Sequence, residues 1–151
     1  MVSARLKPLG GDVNEKSQNV NDAVKLTGLN AKVMVIDDSK TIRRSAETLL
    51  RKAGCEVVTA IDGFEALAKI TLHKPDIIFV DIMMPRLDGY QTCALIKNNQ
   101  SFKSTPVIML SSKDSIFDRA RGRIVGSEKY LTKPFSREDL INAITTHVAK
   151  A

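Results

Sequence analysis

The chain has 151 residues, of which 43% are hydrophobic and 26% charged, the composition of one globular domain with a real core. No apolar run approaches the ~18 residues of a membrane helix, and the opening "MVSARLKPLGG" lacks the apolar block of a signal peptide, so no membrane insertion is expected and the cytoplasm is the expected compartment. The formal net charge is +6, but Lys and Arg are scattered without a dense run, which argues for a solvated basic surface and against a nucleic-acid footprint.

Residues 1–30 are rich in Asn, Gly, Ser and Lys, with isolated Val and Leu in no sustained period. They read as a flexible N-terminal tail in which "NVNDAVKL" forms at most a helical turn. A regular pattern begins at Ala31 and runs to residue 150. Apolar runs predict strands at 33–37, 56–60, 76–82, 106–110 and 129–132. The first helix, "SKTIRRSAETLLRKAG", opens at Ser39 as N-cap, stops at Gly54, and places Ile42, Ala46, Leu49, Leu50 and Ala53 on one face. The second, "GFEALAKITLH", repeats the period with Phe64, Leu67, Ala68 and Leu72. The third, "DGYQTCALIKNN", follows the cap Asp88. A weaker helix is predicted over 115–124. The last opens at Ser136, with Asp139 three positions on in a capping-box arrangement, and carries Leu140, Ile141 and Ile144. Cys55 and Cys93 are too few for a disulfide framework and read as small packed residues.

Five strands alternate with five helices, and the strands are apolar without in/out alternation. This predicts an α/β fold, a doubly wound parallel sheet covered on both faces, whose ligands bind outside the carboxyl ends of the strands. Asp37 and Asp38 sit at one such end, Asp81 at another, Ser111 and Ser112 after "VIML", and Lys133 after "YLT". Taken singly, a strand-ending Asp is most often a helix cap or turn former, the serines a helix start, and Lys133 surface decoration. Together, four strands deliver polar groups to one rim. Three carboxylates held close need a cation, and an all-oxygen set suits Mg²⁺ better than zinc. Neither His73 nor His147 has a partner at metal-ligand spacing. With Lys133 as a second cation, such a pocket suits a phosphoryl group on or near Asp81.

The segments "MVIDD", "FVDIMMPRLDGYQ", "PVIMLSS" and "YLTKPF" resemble the receiver domains of two-component response regulators, over about residues 31–150. The wording "IDDSKTIRR", "MMPRLDGYQTCALIKNN" and "STPVIMLSSKD" is most similar to PilG-type single-domain regulators of type IV pilus chemosensory systems. The resemblance implies a CheY-like, flavodoxin-type sheet in strand order 2-1-3-4-5. It implies that Asp81 is the phosphoacceptor, that Asp38 binds Mg²⁺ directly and Asp37 through water, and that the backbone carbonyl of Met83 is a third ligand. Ser111 and Lys133 would engage the phosphoryl oxygens, Pro134 would follow a cis peptide bond, and Tyr130 would be the switch aromatic. The implied partners are a CheA-like histidine kinase and a downstream protein target such as a pilus motor regulator, met by a monomeric switch that is not itself an enzyme.

Three rivals are weighed. An aspartyl-phosphate phosphatase-like enzyme needs a second acid two residues after its nucleophile, where Met83 stands, and a thioether transfers no protons. A DNA-binding regulator is not expected, because only a few residues follow the last predicted helix. No nucleotide-binding glycine motif occurs. A receiver of a flagellar chemotaxis system stays open as the nearest alternative.

Overall fold

A computed structural model of the chain describes residues 29–113 and 115–148. The proposed tail through residue 28, with its candidate helical turn, and the last residues of the chain lie outside the described residues. The elements run β1 (Lys32–Ile36), α1 (Lys40–Lys52), β2 (Glu56–Ala60), α2 (Gly63–His73), β3 (Ile77–Asp81), α3 (Gly89–Lys97), β4 (Val107–Ser111), α4 (Arg119–Val125), β5 (Lys129–Thr132) and α5 (Arg137–His147). All strand pairs are parallel, and the sheet order is β2-β1-β3-β4-β5, the order that the resemblance to receiver domains implies.

The strands are apolar at every position because both faces of the sheet are covered. Successive side chains point to opposite faces. Val33, Val35, Ile77, Phe79, Ile108 and Leu110 therefore join Ala46 and Leu50 of α1 and Leu140, Ala143 and Ile144 of α5 in one core. Met34, Ile36, Ile78, Val80, Val107 and Met109 join Ala66 and Ile70 of α2 and Tyr90, Cys93 and Ile96 of α3 in the other. Both cysteines are buried and unpaired. Burial pushes their thiols up to about 11 for Cys55 and about 12 for Cys93, so both stay protonated near neutral pH. Leu29, the first described residue, already packs against the α1/α5 core, and its backbone N–H donates to the Ala53 carbonyl at 3.0 Å.

The helix starts follow side-chain capping. Ser39 accepts from the Ile42 N–H, Asp88 and Gln91 form a capping box, and so do Ser136 and Asp139. Two expectations need correction. In α2 the face turned inward is Gly63, Ala66 and Ile70, with Leu67 partly buried, while Phe64 is 50% and Leu72 79% exposed. The helix is apolar on two sides, and packing against the sheet selects the side with small residues. α4 begins at Arg119 and not at 115. Ser112 and Ser115 instead close a turn through reciprocal backbone bonds and a hydroxyl contact of 2.9 Å, and Asp118 caps the helix. Among the described residues no helix is long and apolar enough to cross a membrane.

Candidate functional site

β1 and β3 are neighbours in the sheet, so their carboxyl ends bring Asp37, Asp38 and Asp81 together. One carboxylate oxygen from each lies within 4.8 Å of the others. Asp37 stands just past β1, fully buried, and is held from three directions. Its Oδ1 accepts from the Ser39 N–H at 2.9 Å, its backbone carbonyl accepts from Arg43 Nη1 at 2.7 Å, and its Oδ2 faces Lys133 Nζ at 3.1 Å. Asp38 is exposed, whereas Asp81 closes β3 at only 4% exposure.

Lys133 reaches this cluster from the loop after β5. Its ammonium, with 14% of the side chain exposed, bridges Asp37 and Asp81 at 3.1 Å each. The strand pairing Ser111↔Thr132 and a 2.7 Å bond from the Lys133 N–H to the Ser111 carbonyl set its position. The Lys133–Pro134 peptide bond is cis. Ser111 is the last residue of β4 and is buried, with its hydroxyl donating to the Leu131 carbonyl at 3.3 Å. Met83 lies two residues beyond Asp81, its side chain 55% exposed. Behind Asp81, Gly89 opens α3 so close to β3 that a Cβ there would overlap the Asp81 carbonyl oxygen and come within 2.8 Å of the Ile82 Cα. Only glycine allows α3 to start at this point.

The electrostatics follow from the packing. Burial, together with the negative charge of Asp37, pushes the Asp81 carboxyl up from 3.8 to about 6, although Lys133 opposes the shift. Burial lowers the Lys133 pKa, but Asp37 and Asp81 outweigh it and raise the value above the usual lysine range. Three carboxylates against one ammonium leave a formal excess of two negative charges in a mostly buried cleft. A hard divalent cation on these oxygens would relieve it, so the donor set fits Mg²⁺.

Tyr130 is not part of this cluster. It is half-buried on β5, three residues before Lys133, with its ring stacked on Phe117 and its hydroxyl accepting from Arg119 Nη2 at 3.2 Å. The structure also places at the site or beside it residues that the sequence reading passed over. Arg43, one turn into α1, carries no distinguishing signal in the sequence, and only the fold shows it turned back to the Asp37 carbonyl. Ser115 and Phe117 sat in a stretch read as helix, where nothing marked a turn.

Comparison with known proteins agrees with this architecture. Residues 33–145 match the response regulator receiver domain. The chain is 79% identical to Protein PilG of Pseudomonas aeruginosa over 117 residues, covering 78% of this chain and 87% of that protein. Its structure is similar to that of the chemotaxis protein CheY4 of Vibrio cholerae, with a TM-score of 0.74 and 36% identity over 79% of this chain and 99% of that one. It also resembles the receiver domain of the sensor histidine kinase PA1611 of Pseudomonas aeruginosa, with a TM-score of 0.71 and 26% identity over 78% of this chain and 97% of that one. That structure holds a magnesium ion in its active site cleft. An acidic cleft at the carboxyl edge of a parallel five-stranded sheet and a sequence match over most of its length lead to one conclusion: the chain belongs to the response regulator receiver domain family.

Proposed function

We infer that this protein is a cytoplasmic response regulator of a type IV pilus chemosensory pathway. Asp81 accepts a phosphoryl group from a CheA-like histidine kinase, and the phosphorylated form binds a downstream protein target such as a regulator of the pilus motor. The receiver unit in this reading spans residues 31–150. The observation that carries the reading is the cluster of buried Asp37 and Asp81 with exposed Asp38, Lys133 bridging the two buried carboxylates. The pilus assignment is supported by 79% identity to PilG, against 36% to CheY4.

In this mechanism the Asp81 carboxylate attacks the phosphorus of a phosphohistidine. The P–N bond breaks, imidazole leaves with the electron pair, and an acyl phosphate remains on Asp81. Asp38 and Asp37, with Asp81 and the Met83 carbonyl, would hold Mg²⁺, which when bound offsets the charge on the phosphoryl oxygens. Lys133 already spans Asp37 and Asp81, so its ammonium is placed to pair with a phosphoryl oxygen once the Asp81 charge moves outward. The Ser111 hydroxyl can leave the long 3.3 Å bond to Leu131 for a stronger anionic acceptor, which vacates the space toward which Tyr130 turns. Arg43 and the Ser39 N–H keep Asp37 pointed into the cleft. Met83 offers no acid or base beside Asp81, which favours a switch over a phosphatase-like enzyme.

The test is direct. With Mg²⁺ and acetyl phosphate the protein should gain one phosphoryl group by mass spectrometry, and Asp81→Asn should gain none. Removing a ligand oxygen with Asp38→Ala should weaken Mg²⁺ binding about tenfold or more. Undiminished labelling of Asp81→Asn would refute the assignment. Phosphotransfer from a CheA-like kinase, with the same control, tests the partner.

A further inference from the structure

Only Gly122 is buried among the residues of α4, and Ile124, its largest apolar side chain, is 83% exposed. A helix of seven residues is too short to persist in water on its own hydrogen bonds. A column of three rings holds it in place. Phe117, next to the cap Asp118, stacks on Tyr130 of β5 with centroids 4.5 Å apart and planes at 16°. On its other side it faces Tyr90 of α3 at 6.2 Å and 23°. α4 covers both ends with cations. The Arg119 guanidinium lies 5.6 Å from the Tyr130 centroid, and that of Arg121 lies 4.4 Å from the Tyr90 centroid. The Asp118 N–H donates to the Tyr90 hydroxyl at 2.7 Å. The tip of the Phe117 ring occupies the space that a Cβ on Gly122 would need.

We propose that Phe117 is the coupling residue of the switch: it joins Tyr130 to α4, so an inward turn of Tyr130 breaks the column and releases the helix. This coupling rests on the reading of Asp81 as phosphoacceptor and Tyr130 as switch. When Tyr130 turns, Phe117 loses its closest stacking partner, and Arg119 loses both its ring contact and its 3.2 Å bond to the tyrosine hydroxyl. α4 then keeps its contacts with α3, through Asp118 and Arg121 on Tyr90, Arg121 on Asp88 and Val125 beside Cys93, with Arg119 freed to meet a target.

Hydrogen exchange at the α4 amides of the full chain tests this in wild type, Phe117→Leu and Gly122→Ala, with and without Mg²⁺ and beryllofluoride. Bound beryllofluoride is read separately by ¹⁹F NMR. Without ligand, both variants should raise α4 exchange about tenfold while α5 is unchanged, because one shortens the ring and the other displaces it. Gly122→Ala is a sign test, since helix propensity alone predicts slower exchange for alanine. The chain has two tyrosines and no tryptophan, so the tyrosine near-ultraviolet circular dichroism reports Tyr90 and Tyr130, and Phe117→Leu should reduce it. With beryllofluoride, wild-type α4 should exchange about tenfold faster, and Phe117→Leu should bind the ligand yet lose that response. Wild-type protection in Phe117→Leu, or slowed exchange in Gly122→Ala, would overturn the proposal. Absence of a bound fluorine signal in wild type would instead overturn the phosphoacceptor reading, and the coupling with it, leaving the ligand-free exchange to decide whether Phe117 anchors α4.

Discussion

α4 and α5 lie on either side of the same edge strand, β5, yet they are attached by different physics. α5 starts in a reciprocal capping box, with Glu138 and Asp139 in its first turn and His147 in its last, matching the helix dipole. It buries Leu140, Ala143 and Ile144 to 2% exposure or less in the core shared with α1 and the sheet. α4 puts only Gly122 and the partly buried Val125 against the other core, and three aromatic rings and two guanidinium groups supplement them. Burial of an aliphatic side chain contributes about 1.5–3 kcal/mol, whereas a ring stack or a cation over a ring contributes about 0.5–1.5 kcal/mol. On these magnitudes α5 is expected to open together with the core, and α4 at a lower energy than the domain. α4 lies on the side of the sheet opposite α1 and α5.

The largest expected effect breaks the comparison most directly. Leu140→Ala should cost about 2–5 kcal/mol in urea unfolding, because it leaves a cavity in the α1/α5 core. Ile124→Ala, on the exposed face of α4, should stay within about 0.5 kcal/mol. Comparable losses from both would mean that the two helices are held alike.

The next effect concerns the carboxylate cleft at the carboxyl ends of β1 and β3. In the metal-free protein the Asp81 pKa is about 6 against 3.8 for the free side chain, so between these values the folded state binds more protons than the unfolded one. Stability should therefore fall as pH rises from about 4 to about 6, by about 2–3 kcal/mol. Asp81→Asn should flatten that slope and raise the melting temperature at pH 7 by several degrees, about 5 °C. Denaturation curves across this pH range check the sign, and a rising slope would refute it. If the two helices are independent, α4 exchange relative to global unfolding should not follow the same pH curve.

The smallest effect sharpens the comparison. Arg119→Ala removes one guanidinium from the ring column and should lower the local opening energy of α4 by about 0.5–1 kcal/mol without changing the urea midpoint. A shift of the midpoint by more than that would show α4 to be part of the global cooperative unit.

The site was far more legible in the sequence than the attachment of α4. Asp37, Asp38, Asp81, Ser111 and Lys133 each end or follow an apolar run, and a parallel sheet sends all such positions to one rim, so their placement on one edge followed from strand direction alone. The caps Ser39, Asp88 and Ser136 were readable because a cap is a local hydrogen bond between neighbours in sequence. The inward face of α2 was not readable. Phe64, Ala68 and Leu72 form as good a helical stripe as Gly63, Ala66 and Ile70, and only the close approach of α3 to Gly63 decides between them. The start of α4 was misplaced for the same reason, since Ser115 and Phe117 suit a helix as well as a turn until Ser112 and Tyr130 are brought against them.

By itself, then, the sequence determined the α/β alternation, the parallel sheet and the gathering of three acids and a lysine on one edge. All of these follow from periodicity and strand direction, which act over a few residues at a time. The tertiary structure alone decided which side of α2 is buried and that Lys133 spans two carboxylates. It also decided that α4 hangs from a column of rings contributed by α3, the loop before α4 and β5. Those outcomes depend on distances between residues far apart in the chain, and no local pattern encodes a distance of that kind.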